Sequence, residues 1–432
     1  MKIVLLIIIL LFGGLIIKNK GYGRMKFFLL SIIFLPGAIP LPSPGVPCHR
    51  FLILSFLASL LVHKEMGKIV KMPCVILLSL LIISYIGIGL HDTRLILATQ
   101  VWRSFVYFCI EYGLLIIGFC TNFKEDGLAK FRKLIFSIAL VIGLYGIVTF
   151  ILRTDPWGDF LENQCNLNEG IHDFIINGLR SRITSFLLNS HLFGHFCAML
   201  CILFTYWLYK TGLSKKEKII FFITFVGVLI SGSRSSLMTT VIGIGLLSIL
   251  GLKLKRLTNY MLIGMLLFIP FSQTDVFQEK VQAFSDMFQD QGGKTGGSSL
   301  DMRENQKELS LLLFAQSPVW GNGFDYFSET VGNDDYFIKN GINGAESYYF
   351  ILLIERGGIN IISVLLFSIG LIIYFFKNKR EHKLEYSLAI SLFIAFLAIS
   401  FMTGNREKWE YCLPFIGLLM NKNNILLMSK QI

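Results

Sequence analysis

Four stretches hold the residues best suited to chemistry. Arg180 and Arg182 stand in "GLRSRITSFLLNSHLFGHF", Arg234 in "ISGSRSSLMTT", Arg303 in "SLDMRENQKEL" and Glu346 in "GINGAESYYFILLIERGGIN". A guanidinium stays charged when partly desolvated and forks onto phosphate oxygens. The turn around Ser233 and Arg234 adds hydroxyls and backbone N–H groups where a helix begins, a favourable place for an anion. Glu346 lies at the mouth of a long apolar run, where desolvation would raise its proton affinity and suit it to general-base work. A blander reading exists for each: the arginines anchor helices at lipid headgroups, and Glu346 is a first-turn acid favoured by the helix dipole.

Other polar residues interrupt apolar runs. His191 and His195 have the i, i+4 spacing of a metal pair, but neither His-Glu-x-x-His nor a carboxylate cluster accompanies them, and no metal is expected. Asn189 and His191 read instead as groups lining a cavity or bonding across helices. Glu355 must be paired, cavity-facing or uncharged; its neighbour Arg356 cannot share its helical face, so a partner from another helix is expected. The glycines of "SPVWGNGFDYF" read as a turn at the membrane surface.

What must position these residues is a set of membrane helices. The chain has 432 residues, 54% hydrophobic and 16% charged, whereas an average soluble domain is about 25% charged. Apolar runs long enough to cross a hydrocarbon core of about 30 Å fall at 3–17, 27–41, 49–62, 72–90, 95–120, 134–152, 185–209, 219–231, 235–252, 259–271, 347–376 and 386–403, with a short thirteenth at 411–420. The first follows a single lysine without a small-residue cleavage site and reads as a retained helix. Pro36, Pro40, Pro42, Pro44 and Pro47 make the second hairpin irregular. The fold expected is an all-α polytopic membrane protein of about 12 transmembrane helices. The net charge of +12 comes in short clusters between apolar runs, so no nucleic acid is expected as a partner. Eight cysteines without a Cys-x-x-Cys give no disulfide framework, and only Cys165 falls clearly in an external loop.

Lysine and arginine gather at 18–26, 64–71, 124–133, 210–218, 253–256 and 377–383, in every second connection. An excess of such residues marks cytoplasmic loops, which places the N-terminus outside. The division is then N-terminal helices at 1–152, a first external loop at 153–184, central helices with the serine-arginine turn at 185–271, a large external loop at 272–346 and C-terminal helices at 347–432. The large loop carries eleven acids against five bases before Glu346, a Gly/Ser stretch at 291–299 and a helix-like segment at 300–315. All four chemical stretches lie on the external face.

The order Arg-x-x-Ser-x-x-x-Asn from Arg182 to Asn189, then "SGSRSSL", then a large external loop with Arg303 and "SPVWGNGF", then "ESYYFILLIERGG", resembles the O-antigen ligase and O-antigen polymerase superfamily. The likeness covers roughly residues 180–360; the earlier helices match in hydropathy alone. It implies a GT-C-like multi-pass enzyme of the bacterial inner membrane with its active face periplasmic and no cofactor. Arg182, Arg234 and Arg303 would engage the diphosphate of a polyprenyl-linked glycan. Arg180, Asn189, His191, Ser233 and Tyr349 would complete the substrate-binding set, with Glu346 and Arg234 catalytic. Ligases of this kind typically open the helix after the large loop with His-Asn-x-Tyr-Leu, the histidine being the proposed base. Here the positions read Glu346, Ser347, Tyr348, Tyr349 and Phe350.

That departure favours a polymerase of O-antigen or capsular repeat units. A sugar hydroxyl on one undecaprenyl-diphosphate-linked oligosaccharide would attack the anomeric carbon of the growing chain, and undecaprenyl diphosphate would leave, stabilised by fixed arginines. Membrane lipid and a chain-length regulator protein would be the other partners. The competing readings are a ligase, and a transporter of the same lipid-linked glycans. Against the transporter stands the placement of every charged group on one face, since alternating access needs a midplane site reachable from both sides.

Overall fold

The computed structural model describes residues 2–35, 48–165, 183–252, 300–331, 347–404 and 408–430. Arg180, Arg182, Glu346, the proline-rich stretch, the expected span at 259–271 and most of the large loop lie outside the described residues. Within them the chain is helical, with no strand. The helices are α1 (Lys2–Lys18), α2 (Gly21–Phe34), α3 (Cys48–Val62), α4 (Val75–His91), α5 (Leu97–Cys120), α6 (Glu125–Leu152), α7 (Pro156–Cys165), α8 (Ser190–Lys210), α9 (Lys215–Ile230) and α10 (Arg234–Gly251). After the large loop come α11 (Leu300–Gln316), α12 (Tyr348–Asn378), α13 (Lys383–Ile399), α14 (Lys408–Met420) and α15 (Lys422–Lys430).

Five of these, α5, α6, α8, α10 and α12, are long and apolar enough to cross a membrane, and α3, α4 and parts of α1 and α14 are shorter apolar helices. The expected helix at 300–315 is α11, and the short run at 411–420 is most of α14, with Pro414 inside it. Local signals set several starts. Ser214 and Glu217 form a reciprocal capping box at α9. Asn189 and Ser233 cap α8 and α10 through their side chains. A wider turn at Cys109–Gly113 interrupts α5, a distortion frequent at functional sites.

The centre of the bundle is α8, whose most apolar stretch is 89% buried against 33% for α12. It packs against α9, α10 and α13, while α12 packs against α4, α11 and α13. Thus α13 joins the two groups. Outward rows such as Ile76, Ile83 and Leu90 on α4, and Ile362, Ile369 and Ile373 on α12, remain exposed, which suits a lipid surround.

Among the described residues, direct contacts gather five of the six basic connections at one end of the bundle; the fifth, at 253–256, lies outside them. Arg24 pairs with Glu65 at 2.7 Å, and Lys68 meets both Glu65 and the Cys120 carbonyl. Arg132 reaches Glu217, Thr211 and the Gly212 carbonyl. Lys210 pairs with Glu385 at 3.0 Å, and Lys383 donates to the Leu252 carbonyl at the end of α10. Several of these basic residues lie on helix ends rather than in loops, and Arg24 is fully buried on α2, beside Ser59 and over the Phe56 ring. Burial alone would raise the Glu65 carboxyl, but Lys68 and Arg24 outweigh it and hold the group below its usual range.

Candidate functional site

At the opposite end, the beginnings of α8 and α10 meet. The chain reaches α8 through a tight turn at Ser185–Leu187, with Leu188 in the left-handed region, and Asn189 then takes the N–H groups of His191 and Leu192 at 2.9 and 3.2 Å. The chain leaves α9 at Ile230 and enters α10 with Ser233, whose hydroxyl accepts from the Ser236 N–H at 3.3 Å. His191 Nδ1 lies 3.0 Å from the Ser233 hydroxyl. From there a polar ladder descends between the helices: Ser233 to Ser235 at 2.9 Å, Ser235 to His195 Nε2 at 3.2 Å, and His195 Nδ1 to Thr239 at 3.4 Å.

The sequence-level set is therefore brought together in part. Asn189, His191, Ser233 and Arg234 share one locus, with Arg234 half-buried on the first turn of α10. Two helix N-termini converge there, and their dipoles favour negative charge. Arg303 falls on the first turn of α11. Tyr349 is set apart: its hydroxyl donates to the Leu397 carbonyl at 3.0 Å and its ring packs on Phe401 at 4.1 Å, which ties α12 to α13. The two histidines engage serine and threonine hydroxyls across the helix pair, and among the described residues no group of three metal-ligand side chains occurs. Losing the α8 cap in Asn189→Ala is expected to cost about 1 kcal/mol, read as a lowered unfolding temperature that Asn189→Asp restores.

Sequence reasoning passed over a second group. Arg356, fully buried on α12, holds Glu111 of α5 in a two-pronged pair that includes an Nη1–Oε2 contact of 2.6 Å. The Tyr85 hydroxyl accepts from Arg356, Tyr348 donates to Glu111 at 3.0 Å, and the Tyr85 and Phe324 rings face the guanidinium. A cavity of ≈ 40 Å³ touches Glu111, Tyr112, Tyr348 and Tyr349, enough room for water. The signal was available, since Glu111 and Arg356 are charged residues inside apolar runs and such residues need partners.

The glycines of "SPVWGNGF" do shape a turn, with Gly321 and Gly323 at positive φ and Val319 half exposed, and the segment also packs inward. It lies along the break in α12 at Gly357 and bonds to the freed backbone on both sides. Asn322 and Gly323 donate to the carbonyls of Ile354 and Glu355, each at 3.0 Å, while Gly358 and Ile359 donate to those of Pro318 and Val319 at 2.8 and 3.2 Å. The Glu355 carboxylate accepts from the Phe327 N–H at 3.4 Å. An interrupted helix in an apolar setting needs such substitute partners.

Fold and site together define a polytopic helical membrane protein with a charged, polar locus at the end remote from its basic loops. Residues 219–365, from α9 into α12, match the O-antigen ligase family. That match shows the likeness to the O-antigen polymerase and ligase superfamily read from the motifs, and supports a glycan-processing membrane enzyme. No curated protein matches the chain.

Proposed function

We propose that this protein polymerises undecaprenyl-diphosphate-linked oligosaccharide repeat units, of O-antigen or capsule type, on the periplasmic face of the inner membrane, with about twelve spans in a GT-C-like arrangement. The observation that carries the reading is the meeting of two helix N-termini with His191, Ser233 and Arg234, of which Ser233 and Arg234 fall inside the region matched by the family. Such a locus favours an anion, and a diphosphate is the anion that a lipid-linked donor presents. The acceptor sugar hydroxyl attacks the anomeric carbon and forms the new glycosidic bond. The bond to the diphosphate oxygen breaks, and the hydroxyl proton passes to Glu346. Arg180, Arg182 and Arg303 complete the cationic lining, and a chain-length regulator protein is the expected partner. Glutamate where ligases carry histidine favours polymerisation; the ligase description of the matched family supports transfer to another acceptor as the second reading.

Surface glycan ladders test it, with membrane abundance of each variant measured alongside. Arg234→Ala and Glu346→Gln are expected to reach normal abundance and leave single repeat units attached to the surface. Complete loss of attached glycan would favour the ligase, and full ladders from both variants would sink the glycan-transfer reading.

A further inference from the structure

Beside the buried pair, a chain of charges runs along the end of α5 where the large loop returns. Arg94 holds Asp92 through two contacts of 2.8 Å, donates to the Phe324 carbonyl at 3.1 Å, and reaches Glu329 at 3.1 Å. Arg103 reaches the same Glu329 at 2.5 Å and Asp325 at 3.0 Å. Tyr107 donates to Asp325, and Arg50 in turn donates to the Tyr107 hydroxyl at 3.4 Å with its guanidinium 5.3 Å from that ring. One carboxylate, Glu329, thus sits in the fork of two arginines while remaining 49% exposed.

Two guanidiniums converging on one solvent-facing carboxylate form the geometry that also receives phosphate oxygens. Glu329 belongs to the short turn Phe327–Val331 at the end of the loop's described arm, whereas Arg94 lies in the connection between α4 and α5 and Arg103 on α5. The neighbouring face of α5 is apolar and outward: Leu97, Val101, Trp102 and Phe105 are each at least half exposed. A ligand with a lipid tail can therefore approach Arg103 sideways, along the surface that meets the acyl chains.

We propose that Arg50, Arg94 and Arg103 form a binding station for the diphosphate of a lipid-borne ligand, and that Glu329 occupies it as an internal competitor. Binding displaces Glu329 and releases the Phe327–Val331 turn from α5. The proposal rests on the glycan-transfer reading for the identity of the ligand and adds a station distinct from the locus at Arg234. It makes the returning arm of the loop responsive to substrate.

The test uses the full-length protein in phosphatidylcholine nanodiscs with farnesyl diphosphate as the probe, binding being followed by calorimetry. Glu329→Gln keeps the shape and removes the competing charge, so it is expected to bind about two- to five-fold tighter, the range set by a partly exposed ion pair. Arg103→Ala is expected to bind about ten-fold weaker, through loss of a charge-assisted contact. Unfolding temperatures of both variants establish that they are folded. A merely structural salt bridge predicts the opposite for Glu329→Gln, and an unchanged or weakened affinity there overturns the proposal. Farnesyl diphosphate is expected to outcompete inorganic pyrophosphate, and equal affinities overturn the sideways approach of a lipid-borne ligand. Because binding is read without glycan transfer, tightening by Glu329→Gln alongside full ladders from Arg234→Ala and Glu346→Gln would remove the polymerase reading and leave the station standing.

Discussion

Glu111→Ala is expected to destabilise the protein by about 3–5 kcal/mol, the range for removing one partner of a buried ion pair. The variant leaves the Arg356 guanidinium enclosed among Tyr85, Tyr348 and Phe324 without its counter-charge. Tyr348 also loses the acceptor for its hydroxyl. The pairing itself contributes less than its removal costs, because desolvating both charges offsets much of their attraction. Glu111→Leu combined with Arg356→Met should therefore recover most of the loss. Unfolding in detergent, followed by the fraction of monodisperse protein against temperature, separates the cases. A single variant within about 1 kcal/mol of wild type, below the buried-pair range, would show that the pair is hydrated and not enclosed.

Much of this architecture was legible because two physical rules act directly on sequence. Charge asymmetry between alternate loops reports topology, and contacts such as Arg132 with Glu217 and Lys210 with Glu385 draw the five described basic connections to one end. Capping chemistry is local, so Ser233 marks the start of α10 from its type and neighbours, whereas Asn189, read as a cavity-lining or cross-helix group inside a span from 185, proves to be the cap of α8. Their meeting needed the packing of α8 on α10, which no local signal encodes. The same limit applied to Glu111 and Arg356. Each announces that a partner exists, yet they stand far apart in the chain and only the α4, α5 and α12 arrangement brings them together. Arg94 and Arg103 were overlooked for a related reason: one in the short connection before α5 and one within α5, they resemble ordinary interface anchors until the returning loop sets Asp325 and Glu329 against them.

Reading "SPVWGNGF" as a turn and nothing more missed its packing against α12, and the omission has a definite cause. Glycine-rich sequence signals close backbone approach or a turn with equal strength, and the choice depends on what lies opposite. Opposite it here is a break in α12 that no side chain fills, so the segment supplies backbone groups in place of the missing helical bonds. Asn322 adds a side-chain bond to the Ile354 carbonyl at 2.9 Å and another to the Leu313 carbonyl at 3.0 Å, which fixes α11 to the same junction.

That junction yields the second large effect. Gly357 has φ 65 and ψ −175, a region populated essentially by glycine alone. A Cβ there would lie 2.4 Å from the Gly321 nitrogen and 2.6 Å from the Val319 carbonyl oxygen, and one at Gly321 would lie 2.4 Å from the Arg356 nitrogen. Those neighbours are backbone and cannot rotate away. Gly357→Ala is expected to cost about 2–6 kcal/mol, from a strained conformation and overpacking together. Gly321→Ala should cost a similar amount. Gly358→Ala is the control: its Cβ would come no nearer than 3.2 Å, to the Pro318 oxygen, in ordinary helical geometry, and a cost below about 1 kcal/mol is expected. Displacing the segment would also move Arg356 and Phe324, and with them the arm that carries Asp325 and Glu329. Gly357→Ala should therefore lower membrane abundance and make the 317–331 arm open to protease in intact membranes. Wild-type abundance with an unaltered cleavage pattern would mean that the segment and the helix break are not engaged in the membrane.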